Sequence, residues 1–347
     1  MKEPFVNIVI VTFNTWGVTE HCVTSLLNCG YSNLKLYLVD NGSEGEDFNN
    51  FYQKNKNNKK LVFIGLKKNI GFGGGCNAAL RKIKDGYIVI LSNDVEVAKG
   101  WLNPMIDFME KNPEVGACQP KVRNIKQRDY FEYAGAAGGF MDIYGFPFSR
   151  GRIFFNLEKD YGQYDDRVDV VWCSGVAIVT KKEVIDKIGY FDEIFFLYAE
   201  EADFCWRIHH AGYRLVVIPE SIVYHYGTKK SVVDKTFYNH RNGLIMLIKN
   251  YSNYELIRYF PIRLFFDFIA FFYYLFGYTP NCVNLIRAYL SLFSLLPKVI
   301  QRRAELNKQK QKWGKPKFKY PLYPKSIIVE YFLKGKKTFK ELISPYR

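Results

Sequence analysis

The first 120 residues alternate between two hydrophobic periods, and that alternation limits the architectures open to the chain. Short, β-rich apolar runs occupy residues 7–13, 35–39, 61–66 and 87–91, while helix-like stretches fill 16–27, 47–55 and 77–84. Strands that alternate with helices predict a parallel sheet with right-handed crossovers. Ligands of such sheets gather beyond the carboxyl ends of the strands. There the sequence places Thr12 and Asn14, Asp40 and Asn41, Lys68 and Asn69, and Ser92, Asn93 and Asp94. Turns are polar in any protein, so no single strand end carries a function. Four together mark a candidate cleft.

Beyond residue 120 the pattern loosens. Residues 135–139 and 145–151 are glycine-bearing loops. Residues 172–180 read as a buried strand, 182–188 and 202–211 as helices, and 214–218 and 222–225 as strands. Gly212 is the expected stop of the second helix. The last hundred residues are of another kind. Residues 260–278 are aromatic and apolar but carry Arg263 and Asp267, and 285–300 carry Arg287 and Pro297. Neither run offers the ~20 clean residues of a spanning helix. Both are expected to lie in a membrane interface, with a soluble docking subdomain or a homo-oligomer contact as the alternative. The expected division is a catalytic domain over 1–250 and a basic, aromatic-rich helical region over 251–347.

Charge sharpens that division. From Lys229 to Arg347 there are 23 Lys/Arg against 6 Asp/Glu, a surplus of 17, whereas residues 1–228 hold 26 against 28. The basic last third suits an anionic membrane surface. A nucleic-acid surface would set aromatics among the basic residues, but residues 301–319 interleave Lys mostly with Gln and Asn, so no nucleic-acid partner is expected. Seven cysteines without a C-x-x-C pair argue against a zinc site or a disulfide framework. The apolar stretch at 5–13 is broken by Asn7 and Thr12 and does not read as a signal peptide. The expected location is cytoplasmic, peripheral on the inner face of the membrane.

Several residues can carry chemistry. Asp94 follows a strand, where a carboxylate can hold Mg²⁺ or Mn²⁺ against a diphosphate. Tyr198-Ala-Glu-Glu-Ala-Asp203 brings three carboxylates within four residues, which repel one another and raise one another's pKa. Their place before a helix favours negative charge, and Glu201 is alternatively a general base for a sugar hydroxyl. His225, just past a strand, is either a satisfied structural residue or a ligand; His209 and His210 read as structural. Trp172, before Ser174-Gly175, either faces an acceptor sugar or belongs to the core. The glycine loop at 69–77 reads Gly71-x-Gly73 with Cys76 where a dinucleotide fingerprint needs its third Gly or Ala, and it follows the third strand, so an NAD site is not expected.

Val11-Thr-Phe-Asn14, Leu38-Val-Asp-Asn-Gly-Ser43, Asn69-Ile-Gly-Phe-Gly-Gly-Gly-Cys-Asn77, Leu91-Ser-Asn-Asp94, Gly189-Tyr-Phe-Asp-Glu193 and Tyr198-Ala-Glu-Glu-Ala-Asp203 together resemble the successive blocks of family 2 glycosyltransferases. The subgroup is that of bacterial rhamnosyltransferases and related enzymes of surface polysaccharide synthesis. The resemblance implies an α/β fold of GT-A type, a doubly wound, mostly parallel sheet, here with a C-terminal helical membrane-associating extension. It implies a metal-dependent inverting transfer from a UDP- or dTDP-sugar to a lipid-linked or oligosaccharide acceptor. Carried over residue by residue, Thr12, Asn14 and Asp40 would hold the nucleoside, and Gly71, Asn77 and Asn93 would border the donor. Asp94 takes the last place of the family's Asp-x-Asp, which reads Ser92-Asn93-Asp94 and lacks its first carboxylate. His225 matches a histidine that completes the metal or diphosphate site. Glu201 takes the place of the base in a Glu-Asp pair, with Glu200 and Asp203 toward the acceptor. A non-catalytic nucleotide-sugar or carbohydrate-binding protein of the same fold is the rival reading; release of nucleotide separates the two.

Overall fold

Apolar runs this short become buried parallel strands when helices cover both faces of the sheet. In the computed structural model, which describes residues 3–227, 234–277, 279–318 and 320–343, this is what the first four runs do. Strands β1 (Val6–Thr12), β2 (Leu34–Asp40), β3 (Leu61–Gly65) and β4 (Tyr87–Ser92) pair in parallel in the order β3-β2-β1-β4. All seven residues of β1 are buried. The crossovers are α1 (Trp16–Leu27), α2 (Asp47–Asn55) and α3 (Gly71–Leu80).

The third helix differs from expectation: it begins at Gly71, inside the glycine run, not at residue 77. Glycine is a poor helix former, and here close approach overrides propensity. A β-carbon at Gly75 would stand 2.6 Å from Val11 Cγ1, and one at Gly73 3.1 Å from Phe191 Cβ. The glycines let α3 settle directly on β1 and on the segment leading to the carboxylate cluster.

The rest of the sheet is mixed. After β5 (Val95–Val97), α4 (Asn103–Lys111) and β6 (Val115–Asn124), a small antiparallel sheet forms from β7 (Gly139–Met141), β8 (Pro147–Ser149), β9 (Arg152–Ile153) and β10 (Asn156–Leu157). Then come β11 (Val168–Asp169), β12 (Ala177–Lys181), α5 (Lys182–Ile188), α6 (Glu200–His210) and β13 (Arg214–His225). The strand expected over 172–180 starts only at Ala177, and the two expected over 214–218 and 222–225 are one strand with an irregularity between Ile218 and Ile222. Strand β12 lies antiparallel between β4 and β6, and β13 runs parallel to β6. Strands β4 and β13 therefore point the same way, which delivers Asp94 and His225 to one rim.

Three long helices follow: α7 (Lys235–Asn250), α8 (Asn253–Gly277) and α9 (Thr279–Trp313). The last two are continuous and each is long and apolar enough to cross a membrane, where shorter interfacial segments were expected; Tyr278 and Lys319, the expected segment ends, lie outside the described residues. In α8 the apparent interruptions point inward, whereas Arg287 and Pro297 of α9 are exposed. Arg263 and Asp267 are the buried residues of α8, 3.4 Å apart, and Asp267 also meets His240 and the Tyr289 hydroxyl at 3.0 Å. The outer face is left apolar, with Phe268 59 %, Phe276 85 % and Phe293 66 % exposed.

The last residues do not trail away as a tail. Tyr323, Ile327, Tyr331, Phe339 and Leu342 are buried in one cluster with Phe131, Phe148, Ile153 and Tyr164 beneath the small sheet. The Ile327 amide donates to Asp142 Oδ2 at 2.9 Å, and the Tyr331 hydroxyl donates to Asn156 Oδ1. Part of the basic charge is also structural: Arg303 donates to the carbonyls of Ile248 and Tyr251, and Lys310 to that of Asn250, at the C-terminal end of α7. Cations are favoured there.

Candidate active site

The rim beyond β4 and β13 holds a three-residue polar chain. Asp94 Oδ1 lies 3.0 Å from His225 Nε2, and His225 Nδ1 lies 3.7 Å from Glu132 Oε1. The Ser92 hydroxyl donates to Asp94 Oδ1, so the residue that replaces the first carboxylate of Asp-x-Asp orients the second. Burial works against a charged His225, but the Asp94 and Glu132 carboxylates outweigh it and push the imidazole up to about 9. Burial likewise opposes a charged Asp94, and bonds from His225 and Ser92 hold its carboxyl below the ordinary value all the same.

These residues fit a divalent cation. A carboxylate oxygen and an imidazole nitrogen suit Mg²⁺ or Mn²⁺, and Glu132 stands on the far ring nitrogen, where an outer-shell carboxylate orients a metal-bound histidine. His225 Nδ1 is buried without a hydrogen-bond partner among the described residues. No group of three or more His, Cys, Asp or Glu side chains placed to hold a metal ion together is found among the described residues. The seat is thus partial by itself, leaving room for phosphate oxygens and water.

The carboxylate cluster adjoins this rim through one short segment. The Ser92 amide donates to the Val176 carbonyl at 3.0 Å, and a β-carbon at Gly175 would lie 4.0 Å from Glu201 Cβ. Ser92, two residues before Asp94, and Glu201 therefore both adjoin residues 175–176. Glu200 and Glu201 each keep a buried carboxylate oxygen with no hydrogen-bond partner among the described residues. Burial raises both pKa values, and the neighbouring Glu201 raises Glu200 further. Glu200 is the deeper of the two, its Cβ facing Gly73. A half-buried carboxylate with a raised pKa is suited to general base work.

The other singled-out residues divide between the cleft and its supports. Asn14, in the left-handed region at φ 54°, ties the loop after β1 to the loop after β2 through Ser43 Oγ and the Glu44 amide. Asp40 is 5 % exposed and accepts from Trp16 Nε1 at 2.7 Å and the Ser43 amide at 3.2 Å. Asn93 donates to the hydroxyls of Thr15 and Thr19 at the start of α1. Gly71, at φ +81°, begins α3 where any β-carbon would meet the Phe196 carbonyl. Four residues are engaged by contacts inside the fold. Thr12 is fully buried against the Thr19 hydroxyl. Asn77 is bonded in both directions to Phe191 and to Glu193. Trp172 packs over Gly139 with its Nε1 donating to the Phe140 carbonyl. Asp203 has no exposed surface and is ion-paired with Arg207 and Lys249. Of the three carboxylates in the cluster, Asp203 is the one that binds α6 to α7.

Sequence reasoning did not single out Glu132 or the Arg241–Asn242 pair, and it gave Asn41 a place at a strand end without a role. Asn41 holds the entry to α3, meeting Asn69 Oδ1, the Gly71 carbonyl and the Ile70 amide. Its place at the end of β2 was the available signal. Glu132 and Asn242 had none, since their partners are remote in sequence.

The family described as Glycosyl transferase family 2 matches residues 7–189. An N-acetylglucosaminyl-diphospho-decaprenol L-rhamnosyltransferase of Mycobacterium tuberculosis is 23 % identical over 268 residues, 71 % of this chain and 85 % of the relative. The rhamnosyltransferase WbbL of Escherichia coli is 25 % identical over 48 % of this chain and 66 % of its own length. Among solved structures, a mannosyltransferase of Pyrobaculum calidifontis with GDP-Man and Mn²⁺ aligns with 90 % of this chain and 87 % of its own at TM-score 0.52 and 14 % identity. GalNAc-T7 with UDP, GalNAc and Mn²⁺ aligns with 73 % of this chain and 49 % of its own at TM-score 0.58 and 16 % identity. These two likenesses establish the GT-A fold.

Proposed function

The chain belongs to glycosyl transferase family 2, and from that membership we propose that it moves a sugar, with inversion, from a nucleotide-sugar donor to a lipid-linked saccharide acceptor. The observation that carries this reading is the Asp94–His225 pair together with Glu201, which adjoins Gly175 next to the Val176 carbonyl that the Ser92 amide meets. Asp94 and His225 would hold Mg²⁺ or Mn²⁺, which when bound offsets the charge of a nucleoside diphosphate. The loops joined by Asn14, Asp40 and Ser43 would take the nucleoside. Glu201 would accept the proton of the acceptor hydroxyl as its oxygen bonds to the anomeric carbon and the bond to the diphosphate breaks. One base and no protein nucleophile gives a single displacement. Holding both substrates in line supplies much of the remaining rate.

The test is a panel of UDP-, dTDP- and GDP-sugars with Mg²⁺ or Mn²⁺, scored by thermal shift and by release of nucleoside diphosphate onto a prenyl-diphosphate saccharide. Donor binding with metal-dependent release supports transfer. Binding without any release under every acceptor condition would leave the non-catalytic reading. The diphospho-decaprenol acceptor in the name of the mycobacterial relative favours a lipid-linked acceptor here.

Membrane association completes the reading. Phe268, Phe272, Phe276, Leu290 and Phe293 form an exposed apolar face on α8 and α9, and exposed apolar surface of this size marks an interaction site. Truncation after α7 would be a poor test, because residues 323–342 complete the core of the body. The triple substitution Phe268→Ser, Phe272→Ser and Phe276→Ser is instead expected to keep the fold and to abolish sedimentation with phosphatidylglycerol vesicles at low salt. Retained sedimentation of the triple variant would remove the hairpin from this role.

A further inference from the structure

The segment that leads into α6 is held in a conformation that its own residues disfavour. Phe196, Tyr198 and Ala199 lie at φ 62°, 66° and 67°. Side chains rarely occupy the left-handed region, and such residues persist where surrounding structure over-determines them. None of the three is glycine, asparagine or aspartate, the types that visit this region readily. Ala199 is the residue that caps α6, with Glu200 and Glu201 directly after it.

The support comes from one side chain. Asn242, on α7, has no exposed surface. Its Nδ2 lies 2.9 Å from the Phe195 carbonyl, 2.8 Å from that of Leu197 and 2.7 Å from that of Tyr198. The Arg241 Nε donates to Asn242 Oδ1 at 2.9 Å, which fixes which end of the amide faces the turn, and Arg241 Nη2 donates to Phe195 O at 3.0 Å. The remaining carbonyls are met by backbone amides: Phe196 O accepts from the Phe72 amide of α3 and Ala199 O from the Asp203 amide, both at 2.9 Å, and Phe195 O accepts in addition from the Leu197 amide at 2.8 Å. Every carbonyl from 195 to 199 has a donor, and three of the five share the two N–H groups of one amide. An apolar residue at 242 would take this donor from the half-buried Leu197 and Tyr198 carbonyls, and a carboxylate would set acceptor against acceptor.

We propose that Asn242 is a positioning residue for the catalytic base: by pinning the left-handed turn at 195–199 it fixes the first turn of α6 and so the place of Glu201 beside Gly175. The inference rests on Glu201 as the base. Asn242 itself bonds to no group proposed to contact the donor, while the turn it pins meets Gly71 through the Phe196 carbonyl, so its loss is expected to act first on the chemical step. The seat of the nucleotide at Asp94, His225 and the loops after β1 and β2 is built from other elements.

The experiment compares Asn242→Asp, which keeps the shape and removes the donors, with wild type in two readouts on the full chain. The first is steady-state release of nucleoside diphosphate from the panel sugar that wild type turns over, with kcat and donor KM fitted separately. The second is hydrogen–deuterium exchange of the amides at 195–201, which needs no substrate. The expected result is a fall in kcat of about tenfold or more, donor KM within about twofold of wild type, and faster exchange confined to 195–201. Wild-type kcat in a folded Asn242→Asp chain, unchanged exchange at 195–201, or a loss carried by donor KM alone overturns the proposal. If Asn242→Asp does not accumulate as a folded chain, Asn242→Ser, which keeps one donor, takes the same two readouts with the same criteria. Wild type that turns over no panel sugar defeats the assignment of Glu201 as the base, and with it this proposal's catalytic half; the exchange readout then decides whether Asn242 holds the turn.

Discussion

Glu201→Gln is expected to leave donor binding near wild type and to lower transfer by roughly 10²–10⁴-fold, the range lost when a positioned general base is removed. The side chain keeps its shape, so the donor-induced thermal shift should not change. The neighbouring carboxylates supply the controls. Glu200→Gln should retain most activity, because Glu200 faces Gly73 in the interior and burial already favours its neutral form. Asp203→Asn should fail differently. It removes the shared partner of Arg207 and Lys249, and breaking a buried pair costs about 3–5 kcal/mol, which a denaturant titration reads as an earlier midpoint. An inactive Glu200→Gln beside an active Glu201→Gln would show that the base has been assigned to the wrong carboxylate.

The second large effect is expected at the metal seat. Asp94→Asn should abolish the Mn²⁺-dependent part of donor binding, weakening Mn²⁺ affinity roughly 100-fold or more, beyond the ~10–100-fold typical for loss of an outer-shell partner. The fold should survive, since His225 keeps Glu132 beside its other ring nitrogen. With one carboxylate gone, the imidazole is expected to titrate below its present value of about 9. Electron paramagnetic resonance of Mn²⁺, with and without UDP, checks the affinity. An unchanged Mn²⁺ isotherm in Asp94→Asn would remove the residue from the seat.

The parallel half of the fold was legible because its strands are contiguous apolar runs and its crossovers α1 and α2 carry ordinary helical patterns. The start of α3 was not, because close packing on Val11, and not helix propensity, selects its glycines. Asp94, Glu201 and His225 were legible as residues but not as a constellation. What unites Asp94 and His225 is the common direction of β4 and β13, which depends on β12 entering antiparallel between β4 and β6. Asp203 and Trp172 show the opposite limit. Nothing local distinguishes a carboxylate that faces a cleft from one that faces Lys249, or an aromatic that faces a sugar from one that covers Gly139. Glu132 and Asn242 act through partners far away in sequence, and no spacing rule reaches that distance.

The return of the chain end to the small sheet has a consequence for the order of synthesis. Domains form as units, N-terminal parts first, as the polypeptide emerges. Here Phe131, Phe148 and Ile153 leave the ribosome nearly two hundred residues before Tyr331, Phe339 and Leu342, which bury them. The apolar hairpin of α8 and α9 emerges in between. While translation proceeds, the nascent chain therefore exposes two sticky surfaces at once, one destined for its own last residues and one facing outward. A membrane that captures the hairpin early would withdraw the second surface before the first is closed, leaving only an intramolecular partner for the small sheet.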